Sequence, residues 1–492
     1  MRLTTLLGAI GARSEKGPVK RAEVLGLSVD SRTIRPGELF FAIDGSVTNG
    51  HEYLEDVRKK GAVGAVVSRL NENCPLDQFL VEDTREALAL AACEFYDHPS
   101  EKFPLVGITG TNGKTTVAFL VRSMLASEGI NCGLLGTIWN ILSQDEVRPS
   151  TLTTAQAHEI QRLLAIMQEN GCRAGVMEVS SHGLDQKRTL GTRFEVAAFT
   201  NLTPDHLDYH PDMEHYFKAK SLLFAELGNQ GRAVLGWDDP YGKKLASMVK
   251  GPKITFGRRK GSDIHILSWK PVEGGSEIRL SIFGRKVSGR VSLIGGFNAE
   301  NVAAAAAIAC ALGLSTPRIE QALPAIQPVP GRMEPVDAGQ PFRVIVDYAH
   351  TPDALEKALK AAREHTRGRL VSLFGCGGDR YKAKRPAMGK ISIRLADFTV
   401  VTSDNPRTED PSAIIKDIIG GVRKAGGKQE KNFIVEQDRK SAIKKALELM
   451  KKGDTLLIAG KGHEDYQILP TGRIHFDDRE VARKALKKLG YS

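Results

Sequence analysis

The chain has little of what marks several large protein classes. Its six cysteines (Cys74, Cys93, Cys132, Cys172, Cys310, Cys376) are scattered, and no two form a C-x-x-C pair. That spacing argues against both a disulfide framework and a cysteine zinc site. No apolar run approaches the roughly 18 residues of a membrane helix, so no membrane insertion is expected. The first ten residues are mixed and the stretch Arg13 to Arg21 is polar, unlike a secretory signal, so a cytoplasmic location is expected. Aromatic residues make up only 6%, and no basic stretch is interleaved with them as a nucleic-acid stacking platform requires. Internal repeats and low-complexity tracts are missing too.

What remains is an ordinary globular composition, 41% apolar and 26% charged, over 492 residues. That length exceeds one core and predicts two to three domains. The net charge of +11 suits either nucleic acid or small anionic substrates. The basic residues fall mostly on predicted helix surfaces, which favours solvated surface and no nucleic-acid partner.

The pattern is α/β throughout, in three units. Residues 1–98 alternate short strands and helices: a strand Glu38 to Ile43, a helix over 51–60, a strand Ala62 to Val67 and a helix from about Arg85 to Tyr96. Residues 99–330 have the rhythm of a doubly wound, mostly parallel sheet, with helices over 155–170 and 214–226, an antiparallel insert from Ile254 to Leu293, and an Ala-rich helix over 302–312. The cluster Pro324, Pro328, Pro330 and Gly331 reads as a linker. Residues 331–492 carry strands at Arg343 to Asp347, Arg369 to Phe374, Phe398 to Thr402 and Thr455 to Ala459, each feeding a turn and a helix. This is an open, Rossmann-like pattern with functional turns expected at the strand C-termini.

Chemistry concentrates first at Leu105-Val-Gly-Ile-Thr-Gly-Thr-Asn-Gly-Lys-Thr-Thr116. An apolar strand, a Gly-rich turn and a helix opening with Lys114-Thr115-Thr116 form a polyphosphate cradle, in which inward N–H groups and the helix N-terminus supply positive potential. Gly110, Thr111, Asn112 and Gly113 make the turn, Lys114 reaches the terminal phosphates and Thr115 ligates Mg²⁺. The strict G-x-x-x-x-G-K-[ST] spacing fails by one residue: Ile108 stands where the first glycine is expected, and the glycine is Gly107.

Other strand ends hold polar residues that a core does not need. Glu178 closes an apolar strand ahead of Ser180-Ser181-His182, and its carboxylate suits Mg²⁺. Asp205, His206, Asp208 and His210 crowd another strand end, and His206 suits a second metal. Lys220 lies on a helix, and nothing in the local pattern separates it from Lys218. Ser31 and Arg32 are equally well explained as turn and cap residues. In the third unit, the loops at 347–350, 375–380, 403–407 and 460–464 suggest a pocket for a charged ligand. There Arg380 and Arg407 suit carboxylates, and Asp404 and Glu464 suit an ammonium group. An enzyme that activates a carboxylate with ATP and joins it to an amine uses all of these parts. A nucleotide-binding module without catalysis and a nucleic-acid-dependent ATPase are the readings from other classes.

Gly110-Thr-Asn-Gly-Lys-Thr-Thr116, Glu178-Val-Ser-Ser-His182, Asp205-His-Leu-Asp208, Asn298-x-x-Asn301, Gly331-Arg332-Met-Glu334 and Asp347-Tyr-Ala-His350 occur in an order that resembles the Mur ligase family. Asp30-Ser-Arg32, Gly37-Glu-Leu-Phe-Phe-Ala42 and Asp404-Asn405-Pro406-Arg407 resemble the branch that adds meso-2,6-diaminopimelate to UDP-N-acetylmuramoyl-L-alanyl-D-glutamate. The L-lysine-adding form and a folylpolyglutamate synthetase are the sibling readings.

The resemblance implies a monomer with a nucleotide-substrate domain, an ATPase domain and an amino-acid domain. It implies ATP contacts at Gly110 to Thr116, with Asn298 and Asn301 on the adenine side and Arg332 and Asp347 reaching over from the third unit. Thr115 and Glu178 are implied to hold one Mg²⁺. His206 is implied to hold a second together with Lys220, carbamylated in this family. Ser31, Thr153, Thr154, Ser180, Gln186 and Arg188 are implied to hold the UDP-muramoyl-dipeptide. Arg380, Asp404, Asn405, Pro406, Arg407, Gly460 and Glu464 are implied to hold the incoming amino acid. The sequence departs from the family's usual pattern at Leu152-Thr-Thr-Ala155 and at Gly45-Ser-Val-Thr-Asn-Gly50.

Overall fold

The computed structural model describes residues 1–14, 21–45 and 48–491, so Ser46 and Val47 of the second departing loop lie outside the described residues. Three main sheets follow one another along the chain. The first has five strands in the order Arg13–Ser14, Gln78–Leu80, Gly64–Val67, Glu38–Phe41, Gly26–Ser28. All its pairings are parallel except the one made by Arg13–Ser14. The helix Thr84–Phe95 starts where the Asp83 carboxylate accepts the N–H groups of Arg85 and Glu86, which satisfies donors that the first helical turn leaves free. The helix predicted over 51–60 begins instead as a 3₁₀ turn, Gly50–Tyr53, before turning α over Leu54–Lys59.

The second sheet has eleven strands. At its centre Leu105–Thr109, buried along its whole length, lies parallel between Ala174–Glu178 and Phe194–Phe199. Continuous burial on both faces is what a near-uninterrupted apolar run requires. The antiparallel insert expected from Ile254 to Leu293 is corrected by the structure. Lys253–Gly257 and Ile264–Val272 join the main sheet in parallel, and only Gly275–Ile282 and Arg285–Val291 then run antiparallel as its edge. The reason is packing: Ile278, Leu280 and Ile282 alternate onto one face and share a core with the helix Asn298–Ala311. Alanines at 303 to 307 let that helix approach the sheet closely. The helix starts four residues earlier than periodicity alone indicates, so Asn298 and Asn301 lie in its first turns. The hairpin Trp139–Ile141 with Val147–Pro149 has no counterpart in the sequence reading.

The third sheet has six strands in the order Glu334–Pro335, Arg343–Asp347, Thr455–Ala459, Leu370–Phe374, Phe398–Val401, Phe433–Val435. Five run parallel and Glu334–Pro335 antiparallel. The C-terminal ends of its four inner strands therefore feed the loops at 347–350, 375–380, 403–407 and 460–464 along one edge, as expected. A separate hairpin, Tyr466–Leu469 with Gly472–His475, follows the last of them.

The end of one helix of the second unit carries a buried titratable group. Glu226 ends the helix Met213–Ala225; its Oε1 accepts from Thr189 at 3.3 Å, and its Oε2 is buried without a partner among the described residues. Burial pushes its pKa from 4.5 up to about 8. The folded chain thus holds a proton that the unfolded chain releases, and stability declines as pH rises from about 4.5 to about 8. Glu226→Gln is expected to flatten that decline and to stabilise the protein at pH 8 by on the order of 1–3 kcal/mol. Melting temperatures of parent and variant across this range check it; a difference that does not grow with pH overturns it.

Candidate active site

The turn after Leu105–Thr109 is shaped by glycine at two points. Gly110 has φ +142° and a Cβ there would lie 1.9 Å from Thr200 Oγ1; Gly113 has φ +90° and a Cβ there would lie 2.6 Å from Asn301 Oδ1. Neither position accepts a side chain. Gly107, the displaced glycine, serves another purpose: it lies mid-strand where a Cβ would lie 2.9 Å from Phe194 and Leu223. Lys114 curls over the turn and donates to the carbonyls of Gly110 (2.8 Å) and Thr111 (3.0 Å). Burial lowers its pKa.

Behind the turn, Glu178 is fully buried at its strand end. Its Oε2 accepts from Thr115 Oγ1 (2.7 Å) and Thr137 Oγ1 (2.9 Å), and its Oε1 from Thr137 N (2.8 Å). Thr153 joins through Thr137 at 3.1 Å. From the third sheet's side, Arg332 Nη2 donates to Thr115 Oγ1 at 3.2 Å, and Asn112 Nδ2 donates to Asp353 Oδ2 at 3.0 Å. Asp347 is held by the N–H groups of Met333 and Ala349 at 2.7 and 2.8 Å. Asn112, Thr115, Thr137, Thr153, Glu178, Arg332 and Asp347 line one cavity of about 450 Å³, together with His206 and Asn301. Asn298 stands behind it, accepting from Asn301 Nδ2 at 2.8 Å. Polar groups from two sheets converging on one concave space are what a binding site requires.

Lys220 lies beneath the turn. It is 1% exposed, donates to Gly110 O at 3.0 Å and stands 4.7 Å from the Tyr216 ring. Burial, and then the nearby Lys114 charge, hold its pKa well below the ordinary lysine value, which favours the neutral amine. The His206 ring lies 6.0 Å from the Tyr216 ring and 4.9 Å from that of His182. Burial pushes its pKa down to about 4, against the pull of Asp205. Its imidazole is therefore neutral at neutral pH. Among the described residues no group of three or more His, Cys, Asp and Glu side chains is arranged to hold a metal. Glu178 and Thr115 are nonetheless adjacent carboxylate and hydroxyl oxygens, the donor type Mg²⁺ takes when phosphate and water complete its shell. An amine at Lys220 becomes an oxygen donor only after conversion to a carbamate.

Thr154, Ser180, Gln186 and Arg188 form a second cluster. Thr154 Oγ1 donates to Glu178 O and accepts from Ser180 N, at 3.0 and 2.9 Å. Arg188 donates to Thr154 O at 2.7 Å and to Gln186 Oε1 at 2.6 Å. Ser31 is elsewhere, in the turn after Gly26–Ser28, its carbonyl accepting from Lys60 at 2.7 Å. It is not among the residues that line the cavity.

The third sheet's edge gathers the remaining candidates. Asp404 is buried and accepts from Asn405 N at 2.6 Å. A Cβ on Gly460 (φ +120°) would lie 2.5 Å from Asp404 Oδ2, so only glycine lets the two turns approach. Arg407 and Arg380 flank Gly377, whose Cβ would lie 2.9 Å from Arg407 Nη1 and 3.9 Å from Arg380 Cγ. Arg407 donates to Gly378 O at 2.9 Å, and Pro406 O packs on Gly378. Asn405 Nδ2 donates to Glu464 Oε2 at 2.9 Å. Sequence reasoning missed two members. Lys461 is fully buried between Asn405 and Glu464, and Arg439 pairs with Asp478 at 2.7 Å while bonding Ser403 O and Ala459 O at 3.3 and 3.0 Å. Local pattern gives no sign of either, because burial of a basic side chain is decided by distant elements.

Comparison with known proteins accounts for this arrangement. Three family models match in sequence order: the Mur ligase family catalytic domain over 23–96, the Mur ligase middle domain over 108–309, and the Mur ligase glutamate ligase domain over 331–462. A relative from Geobacter metallireducens, named UDP-N-acetylmuramoyl-L-alanyl-D-glutamate–2,6-diaminopimelate ligase, is 44% identical over 99% of both chains. A solved structure of a ligase of that name is 30% identical, covers 95% of this chain and 96% of its own, and superposes with a TM-score of 0.66. A Thermotoga maritima MurF structure in complex with ADP, 22% identical over 94% of this chain and 98% of its own with a TM-score of 0.67, shares the fold. The three-sheet architecture, the motif order and these full-length matches together make the chain a member of the Mur ligase family.

Proposed function

We propose that the chain joins meso-2,6-diaminopimelate to UDP-N-acetylmuramoyl-L-alanyl-D-glutamate at the expense of ATP, a step of peptidoglycan precursor synthesis. The observation that carries this reading is the shared cavity: P-loop residues, Glu178, His206, Arg332 and Asp347 line one space between two sheets. In this reading residues 1–98 bind the uridine nucleotide, with Ser31 among the contacts, residues 99–330 bind ATP, and residues 331–492 bind the amino acid. The chain acts as a cytoplasmic monomer, and through the cell wall it serves cell shape and division.

The chemistry follows from the groups present. Lys114, the N–H groups of Gly110 to Thr116 and Arg332 hold the phosphates, and Asn298, Asn301 and Asp347 orient the nucleotide. Thr115 and Glu178 would hold one Mg²⁺, and His206 with a carbamylated Lys220 would hold a second. Bound Mg²⁺ withdraws charge from phosphoryl oxygens. Thr153, Thr154, Ser180, Gln186 and Arg188 hold the muramoyl-dipeptide so that a D-glutamyl carboxylate oxygen attacks the γ-phosphorus and ADP leaves. The amine then attacks the acyl carbonyl, loses its proton and expels phosphate. Arg332 and Asp353, contacting Thr115 and Asn112 from across the cleft, help close the space against water, which otherwise hydrolyses the acyl phosphate.

Arg380 and Arg407, side by side across Gly377, suit the carboxylates of an amino acid with two such groups, and Asp404 and Glu464 supply the opposite charge. A ligation assay with ATP, UDP-N-acetylmuramoyl-L-alanyl-D-glutamate and a panel of amino acids tests the assignment. Diaminopimelate is expected to exceed L-lysine in kcat/KM by about 10² or more. Preference for L-lysine overturns the substrate, and activity on a folate with glutamate overturns the class.

A further inference from the structure

We propose that Lys461 is a positioning residue of the amino-acid site: its buried ammonium sets the orientation of the Asn405 amide and aims Glu464 at the ligand. The inference rests on the function proposed above and concerns a residue that motif matching leaves unassigned. Lys461 lies between Gly460 (φ +120°) and Gly462 (φ +54°) and is 0% exposed. A Cβ on Gly462 would lie 2.7 Å from the Tyr348 Cβ, so the turn is wedged against the Asp347-Tyr-Ala-His350 loop and sends the lysine inward. An ammonium taken out of water is tolerated only where partners replace its hydration. Its partners here are Asn405 Oδ1 at 3.1 Å and Glu464 Oε2 at 2.9 Å, with the Tyr466 ring centroid at 5.4 Å.

The geometry removes the ambiguity of a side-chain amide. Lysine only donates, so the Asn405 oxygen must face it; that oxygen also accepts from Ile468 N at 3.0 Å. The Asn405 Nδ2 is then committed to Glu464 Oε2 at 2.9 Å. Both donors to Glu464 thus converge on Oε2, which leaves Oε1 for a ligand ammonium. Lys461 also lies among the positive charges that hold Asp404 ionised, with Arg439 behind it. One buried cation therefore supports three side chains of the loops at 403–407 and 460–464.

The test is steady-state kinetics of Lys461→Met with each of the three substrates varied in turn. KM for diaminopimelate is expected to rise about tenfold or more, the order carried by one oriented hydrogen bond to a charged group. KM for ATP and for the muramoyl-dipeptide is expected to stay within about twofold. Lys461→Gln, which keeps a donor without the charge, is expected to fall between parent and Met variant. In the double variant with Asn405→Ala the two losses are expected to be less than additive. Equal changes in all three KM values, a fall in kcat alone, full additivity, or failure of both single variants to fold each overturn the positioning role and assign Lys461 to stability. If the unmodified enzyme does not ligate diaminopimelate, the functional reading fails instead, and the panel above reveals that separately.

Discussion

Lys220→Ala is expected to lower kcat by about 10³, the scale of losing one preorganised charge partner at a phosphoryl-transfer site. The lysine lies under the Gly-rich turn, 3.0 Å from Gly110 O, and is almost wholly buried. Burial and the neighbouring Lys114 favour the neutral amine, the form that attacks CO₂. The attack makes a C–N bond, releases one proton and leaves a carboxylate on the side chain. That product converts a neutral nitrogen donor into an anionic oxygen donor near Tyr216, whose ring His206 also approaches. Bicarbonate is expected not to restore the alanine variant, because no amine remains to accept CO₂. A ¹³C resonance from ¹³CO₂-equilibrated parent enzyme, absent in the variant, tests the carbamate directly. Near-parental rates in Lys220→Ala overturn the role.

Arg407→Leu is expected to raise KM for diaminopimelate by about 10² and to bring kcat/KM for L-lysine level with it or above. Arg407 is anchored to Gly378 O at 2.9 Å and its backbone N–H donates to Ile468 O at 3.1 Å, with φ +54°. A side chain held this way presents its guanidinium at a fixed place, and lysine lacks the second carboxylate it would meet. KM for ATP is expected to be unchanged, since Arg407 is not among the residues lining the cavity proposed for ATP. A parallel loss with both amino acids shows general disruption and overturns the specificity role.

The Gly-rich turn was legible in the sequence because its elements are local: strand, turn and helix start are contiguous from Leu105 to Thr116. Glu178 and Asp347 were legible for the same reason, as charged residues closing apolar strands. Lys220 was not legible from pattern alone. Its difference from Lys218 is one of burial, set by how the helix Met213–Ala225 packs under the turn. Asp353, Lys461 and Arg439 escaped for a related reason, since their partners lie in other elements. The edge strands beyond Lys253 were misassigned as an insert because alternation fixes which face is buried and leaves open which sheet a strand joins.

The alanine-lined helix Asn298–Ala311 has a consequence for how the active site fails. Its residues 303 to 307 are all buried in the core, and its first turns carry Asn301 to the cavity wall. The helix is a strut whose seating fixes where its tip ends. Added bulk in its middle pushes the whole strut outward, and the displacement surfaces at the far end, in the nucleotide's surroundings. A bulkier residue deep in this core is therefore expected to weaken ATP binding as well as to destabilise the fold, the latter by about 1–3 kcal/mol.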